Sequence, residues 1–288
     1  MKAEEIKSIT VVGSGLMGSQ IGMVCALAGF DVVINDIEQH SLDKAKNNLR
    51  ELMDRRVQKG KMTEVDVSQA FDKLQFLTSL EDSVRNSDYV IEAIVEKLEV
   101  KQNLFQQLDG LAPKHAILAT NSSTIVSSKL AKVTNRPEKV CNFHFFNPAL
   151  VMELVEVVKG DHTSEETIQI SMELARKLSK TPIQINKEIL GFVTNRILTA
   201  IFDEAFYLYE NGYASFEEID IACKKGLNHP VGPFELLDLT GIDLNYYIKQ
   251  FTYNETKDEK DKPAKTLKEK FENKEWGRKT GKGFYDYN

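Results

Sequence analysis

The sequence predicts an α/β fold, with a doubly wound sheet over residues 1–188 and an all-α C-terminal domain over residues 189–288. Three observations carry this expectation. Short apolar runs alternate with helical stretches through the first two thirds of the chain, the pattern of a sheet covered by helices. A glycine-rich turn joins the first run to the first helix within a unit of βαβ size. From Gly191 onward the periodicity is mostly helical, with no convincing strand pair.

Residues 6–12 read as a strand ending in the pair Val11 and Val12, and the turn Gly13, Ser14, Gly15, Leu16, Met17, Gly18 follows. A helix then carries Met17, Ile21, Val24, Cys25 and Ala28 and is closed by Gly29; the next strand, residues 31–34, ends at Asn35 and Asp36. A long helix is expected over 40–58, with Leu42, Ala45, Leu49, Leu52 and Met53 as its apolar stripe and Gly60 as its stop. Two more strand–helix units are expected, residues 89–94 before a helix near 99–109 and residues 116–120 before a helix near 124–132. Strands at 140–145 and 153–158 come next, then a helix near 164–179 opened by Thr163 or Ser164, with Ile168, Met172 and Ala175 facing inward. Beyond a boundary at 186–190, Ser215 and Glu218 form a capping box for a helix near 216–226. The charge-rich stretch 254–275 reads as a solvated helix or loop.

Composition narrows the function classes. The 288 residues are 42% hydrophobic and 28% charged, in the range of folded globular chains. Lys and Arg total 37 against 43 Asp and Glu, a net charge of −6 that disfavours a nucleic-acid partner, because phosphate binding needs a basic face. Cys25, Cys141 and Cys223 are odd in number and widely spaced, which gives neither a metal site nor a disulfide framework and fits a reducing cytoplasm. The best apolar run, residues 21–30, is ten residues long, short of the ~20 that a membrane-spanning helix needs. Lys2, Glu4, Glu5 and Lys7 leave no secretory signal at the N-terminus.

The glycine turn has a mechanical reading. Gly13 permits the tight turn, Gly15 lets backbone approach a pyrophosphate, and Gly18 lets helix and strand pack closely. The helix N-terminus offers free N–H groups and a partial positive charge to phosphates. Asp36, 23 residues after Gly13, ends the second strand, where a carboxylate accepts from both ribose hydroxyls and repels a 2′-phosphate. This makes the first domain Rossmann-type and favours NAD over NADP. A structural turn beside a surface aspartate is the bland alternative, and a Rossmann-type methyltransferase is the other competitor.

His144 lies among aromatics on a predicted strand. If that strand and the next pair as an antiparallel hairpin centred on Leu150, His144 and Glu156 fall opposite each other, about 4.5–5.5 Å apart at Cβ. A carboxylate there fixes the imidazole tautomer and stabilises the imidazolium. A core histidine satisfied by a backbone carbonyl is the competing reading. His40, His115, His162 and His229 carry no such partner signal. Asn121, Ser122 and Ser123 close a strand at its carboxyl end, where open α/β sheets bind ligands, although a helix cap explains one of them equally well. Asn195, near the start of an apolar helix, reads alone as a capping or packing residue.

Together these pieces resemble the short-chain L-3-hydroxyacyl-CoA dehydrogenases, most closely the bacterial 3-hydroxybutyryl-CoA dehydrogenases, over essentially the whole chain. The resemblance rests on the segments at 11–18, 92–96, 120–123, 144–148, 154–157, 191–196, 231–238 and 278–285, which read VVGSGLMG, EAIVE, TNSS, HFFNP, LVEV, GFVTNR, VGPFELLD and RKTGKGFY. It implies His144 as the catalytic acid/base and Glu156 as its orienting partner. It further implies Ser123 and Asn195 as polar contacts to the substrate, and Asp36, Glu96, Lys101, Ser123, Asn147 and Lys279 as NAD contacts beyond the glycine loop. The coenzyme A phosphates would fall to Lys59 or Lys61, with Arg55 and Arg56 nearby; a solvated basic face is the alternative there.

The implied reaction is hydride transfer between NAD and an acyl-CoA substrate, (S)-3-hydroxyacyl-CoA to 3-ketoacyl-CoA, with no metal. A dehydrogenase of the same scaffold acting on a CoA-free hydroxy acid or sugar acid, and a non-catalytic nicotinamide-binding protein, remain as rivals. A homodimer through the C-terminal domain is also expected. The helix over 191–210 is apolar nearly all round, with Ile197, Ile201 and Leu208 on one stripe and Phe202, Phe206 and Tyr209 on others, and a helix of that kind must be covered on most sides. Phe202 and Phe206 are expected at the dimer interface; packing of the helix against the first domain alone is the alternative.

Overall fold

The computed structural model describes residues 2–287. The chain divides into two compact units, the first ending at Phe192 and the second starting at Val193. The division falls four residues beyond the expected 188/189 boundary, because Gly191 N–H donates to the Ser123 carbonyl (3.2 Å) and Phe192 is buried against Val158 and Ile185.

The first unit runs β1 (Ser8–Val12), α1 (Leu16–Leu27), β2 (Asp31–Asn35), α2 (Gln39–Gln58), α3 (Glu64–Asp72), β3 (Leu74–Leu77), α4 (Leu80–Val84), β4 (Tyr89–Glu92) and α5 (Leu98–Leu111). It continues with β5 (Ile117–Thr120), α6 (Ser128–Ala131), β6 (Val140–Phe145), β7 (Leu154–Val158), α7 (Glu165–Lys177) and β8 (Thr181–Ile185). The strands form one eight-stranded sheet among the described residues, in the order β3-β2-β1-β4-β5-β6-β7-β8. All neighbours are parallel except β6 and β7, which form an antiparallel pair. The order reverses between β1 and β4, the switch point at which such sheets bind ligands.

The strands alternate between two apolar layers. Val11, Ile91 and Ile117 face one layer, with α1 and α7 residues such as Ile21 and Leu174; Val12, Val90 and Leu118 face the other, with Phe105 and Leu108 of α5. Covering both faces explains why these strands read as continuous apolar runs. Polar groups caught inside are paired: Tyr89 Oη lies 2.8 Å from Ser171 Oγ, and Arg136 donates to the Asp109 carboxylate and to three backbone carbonyls.

Two stretches carry elements that periodicity did not signal, and one expected helix needs correction. The stretch 61–88 contains α3, β3 and α4, and β8 was likewise unsignalled. Residues 124–132 hold only the four-residue α6, because Ser122 Oγ accepts from the N–H groups of Thr124 (3.3 Å) and Ile125 (2.7 Å) and holds the chain in a turn. The stretch 254–275 is mostly exposed helix and loop, as expected, and the helix within it buries Leu267.

The second unit is helical: α8 (Thr194–Glu210), α9 (Phe216–Gly226), α10 (Pro233–Thr240), α11 (Ile242–Thr256) and α12 (Lys265–Glu272). Its core is a ring cluster in which Phe206, Tyr209, Phe216 and Phe284 surround Phe234. Buried carboxylates fasten its chain: Asp220 accepts from the N–H groups of Phe234 and Glu235, and Asp238 from those of Phe284 and Tyr285. Phe202 and Phe206 are buried inside this unit, not presented outward as the dimer expectation had them; Ile197 and Tyr207 are the exposed large apolar side chains of α8. No helix among the described residues is long and apolar enough to cross a membrane.

Candidate active site

The glycine loop grows from the end of β1. Gly13 takes φ +105°, its N–H donates to the Asn35 carbonyl (2.8 Å), and a Cβ there would stand 2.5 Å from the Ala93 carbonyl oxygen. A Cβ on Gly18 would collide with the Gly13 carbonyl at 1.9 Å, whereas one on Gly15 would meet nothing within 4 Å. Gly13 and Gly18 are therefore demanded by the turn and by helix–strand approach, while Gly15 faces open space where a ligand fits. No side chain among the described residues caps α1 at Gly15, so its first-turn N–H groups are left for an anion.

Asp36 is half-buried at the end of β2 and is clipped to this loop. Its Oδ2 accepts from Ser14 N–H (2.8 Å) and Ser14 Oγ (2.7 Å), and its Oδ1 accepts from Glu38 N–H (3.2 Å). A cleft of about 1070 Å³ opens here, lined by Gly13, Ser14, Gly15, Leu16, Asp36 and Ile37 at one end. The cradle at Gly15, the uncapped helix and the carboxylate fit a dinucleotide with a free 2′-hydroxyl.

Along the same cleft, α2 presents Ser41, Lys44, Asn48, Leu52 and Arg55. Lys59 and Lys61 are exposed at and just beyond the end of α2 and do not line it. Sequence reasoning missed Lys44, although its spacing with Ser41, Asn48, Leu52 and Arg55 is that of one helix face.

His144 and Glu156 stand directly opposite in the β6–β7 register. His144 Nδ1 lies 2.9 Å from Glu156 Oε2; the imidazole is 7% exposed and the carboxylate fully buried. A carboxylate only accepts, so in the neutral ring Nδ1 carries the hydrogen and Nε2 the lone pair. The rings of Phe146 and Phe192 flank the imidazole at centroid distances of 4.6 and 5.6 Å.

The segment after β5 is held by a polar lattice. Ser122 and Thr124 hydroxyls donate to Glu96, and Lys101 Nζ sits 3.1 Å from Glu96 Oε2 and 2.5 Å from Glu92 Oε1. Burial pushes the Glu96 carboxyl up, but the Lys101 charge and the two hydroxyls outweigh it and hold Glu96 below the usual carboxylate range. Lys101 is itself buried between the two carboxylates, and neither it nor Glu96 lines the cleft. Glu92, which also accepts from Thr120 Oγ1 (2.6 Å), is a member of this lattice that the sequence did not single out. Ser123 is half-buried and Asn147 is exposed at the turn after β6. Asn195 and Lys279 belong to the second unit: Asn195 is the second residue of α8, and Lys279 pairs with Asp243.

Two family models match the chain nearly end to end. Residues 8–189 match the 3-hydroxyacyl-CoA dehydrogenase NAD binding domain, and residues 191–287 match the 3-hydroxyacyl-CoA dehydrogenase C-terminal domain. A probable 3-hydroxybutyryl-CoA dehydrogenase of Bacillus subtilis is 40% identical over 284 residues, covering 98% of each chain. The 3-hydroxybutyryl-CoA dehydrogenase of Clostridioides difficile is 40% identical over 280 residues, covering 97% of this chain and 99% of its own. Among solved structures, (S)-3-hydroxybutyryl-CoA dehydrogenase PaaH1 from Ralstonia eutropha superposes with a TM-score of 0.92 at 39% identity, over 99% of this chain and 100% of that one. Fold, glycine cradle and both halves of the sequence agree, and the chain belongs to the 3-hydroxyacyl-CoA dehydrogenase family.

Proposed function

We propose that the protein interconverts (S)-3-hydroxybutanoyl-CoA and acetoacetyl-CoA with NAD, using His144 as general acid/base. The observation that supports this most directly is the buried His144–Glu156 pair, with Nδ1 held and Nε2 left as the proton-transfer atom. In the oxidative direction Nε2 takes the proton of the C3 hydroxyl, and the buried Glu156 carboxylate stabilises the imidazolium that results. NAD, held by the glycine loop and Asp36, would supply the hydride acceptor for C3. In reverse, the imidazolium protonates the forming alkoxide. Ser123 and Asn195 orient the substrate oxygens. Gly13 to Gly18, Asp36, Glu96, Lys101, Ser123, Asn147 and Lys279 serve the cofactor, Glu96 and Lys101 by shaping the segment that carries Ser123.

In the same reading, residues 1–188 bind NAD and residues 189–288 serve the substrate and the dimer. Basic residues of α2 and its end meet the CoA phosphates, with Lys44 and Arg55 lining the cleft and Lys59 and Lys61 following at the end of α2 outside it, Lys61 beside a separate cavity. The protein works in the cytoplasm, a compartment that suits its three free, widely spaced cysteines. The experiment is reduction of acetoacetyl-CoA with NADH and with NADPH by the wild type and by His144→Gln. NADH is the preferred donor, and His144→Gln lowers kcat by about 10²–10⁴ while the Kd for NADH stays unchanged. Near-wild-type turnover in that variant overturns the acid/base role, and turnover indifferent to the CoA handle points to a CoA-free substrate.

A further inference from the structure

We propose that Phe192 is a positioning residue for His144, its ring held against the imidazole by a strap, residues 188–192, that Glu188 anchors. The inference rests on the acid/base reading of His144. It starts from the backbone: Phe192 takes φ +52° and is fully buried. The left-handed region is an outlier for a bulky side chain, and such a residue persists only where its surroundings over-determine it. A glycine would sit there without strain, so the ring at this position has to be explained by what it touches.

What it touches is the imidazole, edge on, at a centroid distance of 5.6 Å and an interplanar angle of 61°. The hydrogen bond to Glu156 restrains His144 at Nδ1, yet one hydrogen bond tolerates tens of degrees of tilt. Nε2 lies across the ring, where such a tilt displaces the proton-transfer atom. Phe146 limits the tilt on one side at 4.6 Å, and Phe192 supplies a second, fully buried wall.

The strap is tied at both ends to one neighbouring segment. Glu188 Oε1 accepts from Ser127 Oγ and from Ser128 N–H, both at 2.7 Å. Three residues on, Gly191 N–H donates to the Ser123 carbonyl (3.2 Å), and Phe192 N–H closes the turn onto the Ile189 carbonyl (3.1 Å). The Phe192 side chain packs with Val126, Val158 and Ile185. The segment that carries Ser123 and the wall behind His144 are thereby one assembly, and loosening the Glu188 anchor loosens both.

The competing account is that Phe192 only fills the core. Phe192→Leu separates the two, because it keeps an apolar side chain and removes the ring edge. Positioning predicts that kcat falls about tenfold or more, while the KM for acetoacetyl-CoA and the Kd for NADH stay within twofold of wild type. Core filling predicts a lower Tm with kcat unchanged, and that result overturns the proposal. Glu188→Ala acts on the strap from outside the ring contact; it lowers kcat in the same direction, and Glu188→Gln, which keeps an acceptor oxygen, recovers most of the loss. Should Phe192→Leu fail to fold, the Glu188 pair decides, and equal kcat in wild type, Glu188→Ala and Glu188→Gln overturns the proposal. His144→Gln with near-wild-type turnover would instead remove the acid/base reading beneath it. An inactive His144→Gln beside a fully active Phe192→Leu removes the positioning role alone.

Discussion

At the scale of single residues, we propose that charge decides cofactor choice. Asp36 is held by Ser14 at two points, which fixes the orientation of its carboxylate; in this reading it meets the ribose and confronts any 2′-phosphate with a like charge. Asp36→Ala removes hydrogen bonds to a charged acceptor, and each such bond contributes about 1.5–3 kcal/mol. NADH binding weakens roughly ten- to a hundredfold and the preference over NADPH narrows; kcat/KM for the two donors, compared in both proteins, checks this. Glu96 allows a pH test. Its folded pKa lies below the ordinary 4.5, so its contribution to stability is complete above that value and is lost as the pH falls through the depressed one. Glu96→Gln therefore lowers Tm at neutral pH, and the gap from wild type closes in melts taken well below pH 4.5. A gap independent of pH would mean that the Lys101 and hydroxyl contacts act without the charge. The His144–Glu156 pair was legible in the sequence because antiparallel register is arithmetic on positions. The Ser14–Asp36 clip and the lattice around Lys101 were not, because they depend on where separate strands end in space.

At the scale of elements, legibility followed burial. The interior strands β1, β4, β5 and β6 are covered on both faces and read directly as apolar runs. The two strands that periodicity missed, β3 and β8, are the two edges of the sheet. An edge strand has a neighbour on one side only, and its residues are partly exposed, as β8 shows along Thr181 to Gln184. Pro182 lacks the N–H of a ladder donor and is tolerated at that edge, while in a sequence it argues against a strand. The long helix α2 was legible from its buried stripe of Leu42, Ala45, Leu49 and Met53, but its second face, the one along the cleft, is polar and carries no hydrophobic signal. That face makes its own prediction. Replacing Lys44 and Arg55 together with Ala raises the KM for acetoacetyl-CoA several-fold and leaves that for a short thioester without the nucleotide unchanged, since only the former carries phosphates. A parallel rise in both would reduce this face to solvated charge. The same comparison for Lys59 and Lys61 measures how far along the helix the anionic handle reaches.

At the scale of the whole molecule, the second unit leaves a large apolar surface to explain. Its ring cluster buries Phe202, Phe206 and Phe234, yet Ile197 and Tyr207 of α8 and Leu244, Tyr247, Ile248 and Phe251 of α11 remain exposed. Large exposed side chains concentrated on the helices of a unit this small mark an interaction surface, and a two-fold pairing of identical chains is the commonest way to cover one. We propose that the protein is a homodimer through these helices. Light scattering at micromolar concentration should then give twice the 32.6 kDa of one chain. The sequence pointed to Phe202 and Phe206 as interface residues because an all-round apolar helix does not reveal which side faces its own core. With those rings inside the unit, Phe202→Asp places a charge among aromatics and costs folding stability before it touches association. Tyr247→Asp combined with Phe251→Asp acts on the outer surface instead. It should shift the mass to that of one chain, with NADH binding to the first unit and the far-ultraviolet circular dichroism unchanged. A double variant that stays fully dimeric moves the interface off α11, and a wild type that scatters as a single chain rejects the dimer.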